Sequence, residues 1–264
     1  MASTTQEEKK VLDLGVFGAP AHGLVANPSP FCVKLELYCK AAGVPYGKPE
    51  LKPGDMGPRG KLPYATFAAT GEVVPDSAAI IDKLNALGYA LDAGLTEAER
   101  VQARLIAALC EDSLYFVTLY LVWQRAENWP LTKAEYFAGV PWLLRGMISR
   151  GARKGVLSAL KGQGCGRRPA EEAVALGTQA VDDLAALLGD KKTFFGTPKL
   201  TTADVIVFAQ LDRILYPALP YNPLAEHIRT KTNLMAFLDD IAATYFPDVA
   251  KARVAAANKK GVRE

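Results

Sequence analysis

The sequence has few of the residues that build metal centres and disulfide frameworks. It contains four cysteines and two histidines in 264 residues, and no two cysteines form a Cys-x-x-Cys pair. Cys32 and Cys39 lie two turns apart on one predicted helix face, where they do not readily bridge. No cluster of His, Cys, Asp and Glu has metal-ligand spacing. These absences exclude a disulfide scaffold and predict free thiols, a reducing compartment and no bound metal.

Two common catalytic signatures are also missing. There is no Gly-x-Ser-x-Gly elbow, so a Ser-His-Asp hydrolase would have to recruit His22 or His227. The glycines at 162, 164 and 166 lack the Lys-Ser/Thr ending and the preceding strand of a phosphate-binding loop. The sequence therefore favours neither a serine hydrolase nor a nucleotide-binding enzyme.

Long apolar runs and a large excess of one charge are absent as well. The longest uncharged apolar stretch, Leu114 to Trp123, falls short of the roughly 18 residues that span a bilayer, and it indicates a buried core helix. The polar first ten residues predict no secretory or mitochondrial signal. Lys plus Arg (31) nearly balances Asp plus Glu (28), which argues against a nucleic-acid binder. We therefore expect a cytoplasmic globular protein.

The first ninety or so residues alternate between strand and helix patterns. The predicted elements are a buried strand at 11–18, a helix at 31–42, a short strand at 46–51, a hairpin of 64–68 with 72–74, and a helix at 77–87. Ser29 stands at the N-cap position of the first helix, with Pro30 at N1 and Gly43 just beyond its end.

Helical patterns dominate the rest of the chain. They predict helices at 97–126, 133–160, 170–188, 202–216 and 231–244. The glycine-containing segment 87–95 suits a domain boundary, which gives predicted domains at 1–92 and 93–264. Thr201 and Asp204 form a predicted capping box at the start of the fourth of these helices, with Leu200 and Val205 as its hydrophobic staple.

Four short motifs, in this order, resemble those of the glutathione transferase superfamily. Ser29–Cys32 is similar to the Cys-Pro-Phe/Tyr-Cys motif of glutaredoxins, with serine in place of the first cysteine. Lys61–Tyr64 resembles the loop that carries a cis-proline before the third strand. Asp76-Ser77 resembles the acidic-Ser pair that opens the next helix. Phe194–Pro198 with Thr201–Asp204 resembles the capping element of the helical domain.

Residues 153–211 narrow this resemblance to the branch of bacterial glutathione-transferase-like, failed-axon-connections and metaxin proteins. The resemblance, from Val11 to about Asp248, implies an α/β thioredoxin-like N-terminal domain followed by an all-α helical domain. It implies a protein that transfers glutathione, as co-substrate, to a small hydrophobic electrophile. Many members of the superfamily are dimers, so the resemblance also suggests a homodimer. Metaxins are parts of membrane-bound assemblies, so the resemblance also allows an alternative. In that alternative the protein is a non-catalytic scaffold that has a protein partner and associates peripherally with an organelle membrane.

The resemblance assigns the thiol chemistry to Ser29. A hydroxyl at a helix N-terminus can donate to the glutathione thiolate, and the helix dipole and unpaired N–H groups lower a thiol pKa from about 8.5 by one to several units. Glutathione would then be a nucleophile at neutral pH. A plain N-cap role for Ser29 is the alternative.

The tripeptide itself is expected to bind along the next two motifs. A cis-proline at Pro63 would present the backbone N–H and C=O of Leu62 to an extended peptide. Asp76 would accept from the γ-glutamyl ammonium group, and Ser77, which also suits an N-cap, would donate to its carboxylate. Lys61 is a candidate for the glycyl carboxylate, or a solvated loop lysine.

Two further residues near Ser29 are secondary candidates. Cys32 would be the resolving thiol of a dithiol motif, but position 29 is not cysteine, so a thiol-dependent reductase is the weakest hypothesis and a small buried apolar role is favoured. His22, in the loop 19–30, contacts substrate or lies on the surface. Helix-spaced aromatic residues are candidates for the second-substrate site or for core: Tyr115, Tyr120, Trp123, Trp129 and Trp142.

Residues 145–168 form a basic stretch, with seven basic residues and no acidic one. Such a stretch is typical either of a contact surface for anionic lipid or an acidic partner, or of a solvated helix face plus a loop.

Overall fold

A four-stranded mixed sheet forms the first part of the molecule. The computed structural model describes residues 10–20, 22–52, 54–216 and 219–261, with side chains to 258; residues 1–9, which carry the prediction about targeting, lie outside these ranges. The strands, in the sheet order β2-β1-β3-β4, are β1 Leu12–Gly15, β2 Tyr46–Gly47, β3 Tyr64–Phe67 and β4 Val73–Pro75. The central strand β1 pairs parallel with β2 and antiparallel with β3, and β3 pairs antiparallel with β4.

Helices make up most of the rest of the described chain. They are α1 Pro30–Ala42, α2 Ser77–Ala86, α3 Glu97–Gln124, α4 Trp129–Tyr136, α5 Trp142–Gln163, α6 Ala170–Leu188, α7 Thr202–Leu215, α8 Pro223–Arg229, α9 Thr232–Tyr245 and α10 Pro247–Gly261. The predicted fold class, an α/β domain followed by an all-α domain, is confirmed. The helix α2 ends at Ala86 and α3 begins at Glu97, so the change from mixed α/β to all-helical structure falls in the segment 87–95, as predicted. The exact domain boundary at 92 stays a prediction.

Several predicted elements differ from the structure. The helix predicted at 133–160 is wrong, because the chain forms α4 and α5 with a break before Pro141, which lacks an N–H and disfavours helical backbone at the residue before it. The first two strands are shorter than predicted. The helices α8 and α10 have no counterpart among the predicted elements; each begins at a proline, Pro223 and Pro247, which suits the first helical turn.

The sheet topology brings the starts of α1 and α2 to one edge. The strands β1 and β2 are parallel, so the chain must cross from the end of β1 back to the start of β2, and α1 makes this crossover. The helix α1 therefore begins at the end of the sheet where β1 finishes. At that edge Gly15 pairs with Tyr64, and Tyr64 pairs with Pro75. A Cβ on Gly15 would lie 2.4 Å from the Tyr64 ring, so the ring covers the end of β1 closely. Ser29, Pro63 and Ser77 therefore belong to the same sheet edge.

One hydrophobic core runs through both parts of the molecule. It contains Leu12 and Leu14 of β1 together with Leu114 of α3 and Val205 of α7, all fully buried. A single core of this kind fixes the helical domain against the sheet, so side chains of α4, α7 and α10 can act on loops of the sheet domain.

The helix α3 is the longest in the described chain and includes two π-helical segments, Leu109–Leu114 and Tyr120–Gln124. By length and composition it is the one described helix that could cross a membrane. Its inner face lies in the core, and Leu114, Val117 and Leu121 are buried there, as expected for the apolar stretch 114–123.

Candidate functional site

Ser29 occupies the N-cap position of α1, as predicted, but its hydroxyl does not cap the helix. Its backbone is extended (φ −100°, ψ 124°), and its carbonyl accepts from the N–H groups of Cys32 and Val33, each at 3.1 Å. The Ser29 side chain instead lies close enough to the Cys32 thiol to lower the pKa of that thiol. Only 9% of the residue is exposed. The structure thus gives Ser29 a thiol as its present neighbour and leaves a small part of it accessible.

The Cys32 thiol is fully buried one turn into α1. Burial raises its pKa to about 12, although hydrogen bonds from the Phe17 backbone and the Ser29 hydroxyl lower it in part. Cys39 and Cys110 are likewise fully buried, and burial raises the pKa of both thiols. Their placement agrees with the small apolar role favoured by the sequence.

Cys32 is expected to resist alkylation in the native protein. With a pKa of about 12, roughly one thiol in ten thousand is thiolate at pH 8, and the thiolate is the nucleophile. Iodoacetamide labelling followed by peptide mass spectrometry should find Cys32 modified only after denaturation, with or without glutathione. The matched positive control is S158C, which places a thiol at an exposed position of α5. Comparable native labelling rates at positions 32 and 158 would contradict the prediction and support a reductase.

The loop before Ser29 is held down by the helical domain. The Pro28 carbonyl accepts from the Tyr136 hydroxyl of α4 at 2.8 Å and from Arg213 Nε of α7 at 2.9 Å. The Leu24 carbonyl accepts from Arg253 Nε of α10 at 2.9 Å. Three helices that are distant in sequence therefore fix the backbone that positions Ser29.

Two buried ion pairs support these anchors. Arg213 lies 3.1 Å from Glu135 and Arg253 lies 2.5 Å from Asp212, with all four side chains at least nine-tenths buried. Burial raises the pKa of Asp212 to about 6, against the lowering effect of Arg253. His22, a secondary candidate, accepts the Leu24 N–H at Nδ1 and lies 3.4 Å from Glu135, so it belongs to this anchoring group.

Sequence reasoning missed these anchoring residues. One signal was present: Asp212 and Arg213 stand side by side within the otherwise apolar pattern predicted at 202–216. Charged residues are almost never fully buried unless they are paired, so this dipeptide indicated partners elsewhere in the chain. The identity of those partners, Glu135 and Arg253, depends on the tertiary fold.

The Leu62–Pro63 peptide bond is cis, as predicted, and both residues are buried at the start of β3. The next residue, Tyr64, packs its ring over Gly57, whose φ is +69° and where a Cβ would lie 2.4 Å from that ring. The Tyr64 hydroxyl donates to Asp55 Oδ2 at 3.0 Å. Tyr64 thereby clamps the glycine-rich loop against the cis-proline segment.

The N-cap of α2 is Asp76, which corrects the N-cap role considered for Ser77. Asp76 Oδ1 accepts the Ala78 N–H at 2.8 Å, and the Asp76 N–H contacts the Pro63 carbonyl at 3.4 Å. Asp76 is the one non-glycine residue with a positive φ (78°) in the described ranges. A backbone of this kind costs on the order of 1–3 kcal/mol and persists where the surroundings fix it, often at ligand sites.

The structure brings the main predicted binding residues together at one sheet edge. Ser77 is 4% exposed beside Asp76, and Lys61 is exposed in the loop that leads to Pro63. The Asp76–Pro63 contact joins the cis-proline motif to the Asp76-Ser77 motif, and the topology places Ser29 at the same edge. The ligand contacts assigned to these residues stay predictions.

The candidate aromatic residues do not converge on one site. Tyr115 meets the ring of Phe31 edge-on at 4.9 Å, close to Ser29 in sequence. Trp123 and Trp129 belong to a separate small cluster with their ring centroids 5.8 Å apart. Trp142 is 78% exposed, away from that cluster. Of the five, we retain Tyr115 as the residue placed to border the Ser29 region.

Among the described side chains, no group of three or more His, Cys, Asp and Glu residues lies close enough to hold a metal ion.

The fold and the order of these motifs define the class: a small α/β sheet domain followed by a mostly helical domain, as in glutathione transferases. Residues 30–128 match the glutathione S-transferase N-terminal domain and residues 177–241 match the glutathione S-transferase C-terminal domain. The isoprene-epoxide glutathione S-transferase of Rhodococcus sp. strain AD45 is 30% identical over 243 residues, which cover 87% of this chain and 98% of that protein. The chain belongs to the glutathione S-transferase family.

Relatives of other kinds are also similar. Human metaxin-2 is 28% identical over 200 residues, which cover 75% of each protein. Failed axon connections of Drosophila melanogaster is 27% identical over 264 residues, covering 92% of this chain and 60% of that protein. The predicted resemblance to this branch is therefore confirmed.

Solved structures show the same fold. A β-etherase from Sphingobium sp. strain SYK-6 superposes with a TM-score of 0.58 at 17% identity, covering 93% of this chain and 99% of that chain. A glutathione S-transferase of Ceriporiopsis subvermispora, solved in complex with glutathione, gives 0.59 at 16% identity, covering 90% and 98%.

Proposed function

We propose that this protein binds glutathione at the sheet edge formed by Leu62, Pro63, Asp76 and Ser77. The observation that carries the proposal is the positive φ of Asp76 beside the cis-proline segment, with Ser77 buried next to it. In this arrangement the Leu62 backbone receives the extended tripeptide. Asp76 accepts from the γ-glutamyl ammonium group, and Ser77 donates to the γ-glutamyl carboxylate. Lys61, exposed in the same loop, contacts the glycyl carboxylate.

The thiol of the bound tripeptide then lies toward the N-terminus of α1. There the Ser29 hydroxyl donates to the glutathione sulfur. With the dipole of α1 it stabilises the thiolate over the thiol. The thiol proton passes to water. The thiolate then attacks an electrophilic carbon and forms the C–S bond while one C–O or C–halogen bond breaks, so that the electron pair goes to the halide, which leaves, or to the epoxide oxygen, which stays on the product and takes a proton from water. No second protein nucleophile is needed.

A small apolar electrophile such as an epoxide is the substrate class we propose. The support is the similarity to the Rhodococcus isoprene-epoxide glutathione S-transferase over 98% of that enzyme's length. Tyr115, packed against Phe31, borders the region where such a molecule would meet the sulfur. We propose a cytoplasmic location for this reaction.

Ser77→Ala is expected to weaken glutathione binding by about tenfold to a hundredfold, because a hydrogen bond to a charged group contributes roughly 1.5–3 kcal/mol. Isothermal titration calorimetry measures the dissociation constant. Ser158→Ala, at an exposed serine of α5, is the matched control and should bind as the unmodified protein does. No binding by the unmodified protein at millimolar glutathione would overturn the proposal.

Ser29→Ala separates binding from chemistry. The expected result is near-normal glutathione affinity, a higher pKa of the bound thiol in the ultraviolet thiolate absorbance, and turnover about tenfold or more slower. An unchanged thiol pKa and unchanged turnover would remove Ser29 from the mechanism while leaving the binding site intact.

A non-catalytic role is the second candidate, and the burial of Ser29 favours it. The loop before Ser29 is tied to three helices and leaves that residue 9% exposed, so little of Ser29 is open to a ligand at the point where chemistry would occur. This candidate expects glutathione binding without turnover of epoxides and a stable protein partner in a larger assembly. Epoxide turnover by purified protein, with affinity purification that recovers this chain alone, would exclude it.

A further inference from the structure

The N-terminal end of α5 exposes a cluster of large apolar side chains. We define this α5 tip as Trp142, Leu143, Leu144, Met147 and Ile148, which are 78%, 72%, 46%, 63% and 40% exposed. Single exposed apolar residues are ordinary on protein surfaces, whereas a contiguous patch marks an interaction site. The α5 tip therefore requires an occupant that covers it.

The contacts of α5 fix which face points outward. Ser149 and Leu160 are fully buried. Arg153 turns inward, where its Nε donates to the Trp123 carbonyl at 2.9 Å and its guanidinium lies 4.6 Å from the Trp129 ring centroid. Leu143 and Met147, one turn apart, lie about 100–140° around the helix from these residues, on its exposed flank. The outward face is thus set by the packing of α5 along most of its length.

The same outward face becomes basic further along the helix. Arg150, Lys154 and Lys161 are exposed, and no described acidic side chain pairs with any of the three. The sequence has no Asp or Glu between Glu135 and Glu171. From Trp142 to Lys161 the helix rises about 28 Å. The face is therefore apolar at its tip and cationic along its shaft.

Three of the other basic residues of the stretch 145–168, Arg145, Arg153 and Arg168, contact groups within the chain, and Arg167 is exposed. Arg145 donates to the carbonyls of Ala138 and Val140, which closes the turn before α5. Arg168 lies 3.5 Å from Glu172. The basic stretch therefore divides into internal contacts and an outward set, which neither sequence interpretation anticipated.

We propose that the outward face of α5 docks on an anionic lipid bilayer. The α5 tip enters the boundary between headgroups and acyl chains, while Arg150, Lys154 and Lys161 contact lipid phosphates and carboxylates. Charge decides between this occupant and a second copy of the chain. A parallel pair of α5 faces would bring cations against cations, which like-charge repulsion opposes, and an antiparallel pair would bury the cations of one copy against the apolar tip of the other, which costs their hydration. The proposal is independent of glutathione binding.

Vesicle co-sedimentation tests the proposal on the full chain. The unmodified protein is expected to bind vesicles of phosphatidylcholine mixed with phosphatidylserine about tenfold or more strongly than vesicles of phosphatidylcholine alone, and to lose this binding at high salt. Two double variants should each weaken vesicle binding about tenfold: Leu143→Ser/Met147→Ser at the apolar tip and Arg150→Gln/Lys154→Gln at the cationic shaft. Because all four residues are exposed, circular dichroism should show unchanged folding.

Matched controls show whether the location matters. Val101→Ser/Leu105→Ser changes exposed apolar residues of α3 with the same spacing as the α5 pair, and Lys192→Gln/Lys199→Gln removes two exposed charges elsewhere. Both should bind vesicles normally. The fluorescence blue shift on binding should disappear in Trp142→Phe, because Trp123 is 6% exposed and the half-buried Trp129 ring is covered by the Arg153 guanidinium. Two binding results would overturn the proposal: equal binding to neutral and anionic vesicles, or no binding to either kind. An equal loss of vesicle binding in the control variants would also overturn it. So would self-association of the unmodified protein that Leu143→Ser/Met147→Ser abolishes, if the protein does not bind vesicles.

Discussion

Arg213→Met is expected to lower the free energy of unfolding by about 3–5 kcal/mol, because removing one partner of a buried ion pair leaves the other charge uncompensated. The Arg213 and Glu135 side chains are 2% and 5% exposed and lie 3.1 Å apart. Arg213 also donates to the carbonyls of Pro28 and Tyr216, so its loss removes a donor from one buried and one part-buried acceptor. Urea unfolding followed by circular dichroism measures the effect.

The chain offers a matched control for this change. Arg104 pairs with Glu97 at 3.2 Å, but the two side chains are 65% and 76% exposed. An exposed pair of this kind contributes little, so Arg104→Met should leave the urea midpoint almost unchanged. The double variant Glu135→Gln/Arg213→Met should recover part of the lost stability, because it removes the unpaired buried carboxylate. Equal losses for Arg104→Met and Arg213→Met would contradict the role of burial.

The Arg213 change also has a functional readout. Its Nε and the Tyr136 hydroxyl hold the carbonyl of Pro28, the residue before Ser29. We therefore expect Arg213→Met, under conditions where it remains folded, to raise the pKa of bound glutathione more than it changes glutathione affinity. A purely structural role for Arg213 would leave that pKa unchanged.

Asp204→Ala is expected to cost about 3–5 kcal/mol of stability, because it leaves several buried donors unpaired at roughly 1–3 kcal/mol each. Asp204 is fully buried. Its Oδ1 accepts the Phe194 N–H at 2.8 Å, and its Oδ2 accepts the Thr201 N–H at 2.7 Å and the Thr201 hydroxyl at 2.6 Å. The carboxylate thus joins the start of α7 to the loop before it. Asp204→Asn retains one acceptor oxygen and should lose less.

A second capping box separates burial from capping as such. Thr96 and Glu99 form the same arrangement at the start of α3, but both bonds lie at the exposed surface. Glu99→Ala should therefore reduce the urea midpoint far less than Asp204→Ala does. Similar midpoints for the two alanine variants would show that the buried carboxylate adds nothing beyond an ordinary helix cap.

Local sequence signals proved strongest where a neighbouring residue imposes the structure. The helix α1 begins at Pro30 and is capped by Gly43, as predicted, because proline suits the first helical turn and glycine accepts the φ of 69° found at position 43. The capping box at Thr201 and Asp204 was likewise visible. The prediction of one long helix at 133–160 was wrong because it followed the helical periodicity and ignored Pro141. The ring of Pro141 and its missing N–H end one helix and allow the next to begin after it.

The candidate site shows the same division. The motifs at Ser29, Pro63 and Asp76 were found by type and order, since each meets a local need at a helix start or a strand start. The backbone of Asp76 could not be read from the sequence, because a positive φ in a non-glycine residue is imposed by its surroundings. For the same reason the N-cap was Asp76 and not Ser77.

The sequence by itself determined the two-domain class, the family branch and the order of the glutathione-transferase motifs. Only the tertiary structure decided how accessible Ser29 is. Its loop is fixed by donors far away in sequence, including Arg213, 185 positions beyond Pro28. The tertiary structure also decided which cations of the stretch 145–168 face outward. Burial and ion pairing depend on which elements share a core, and a local pattern does not contain that information.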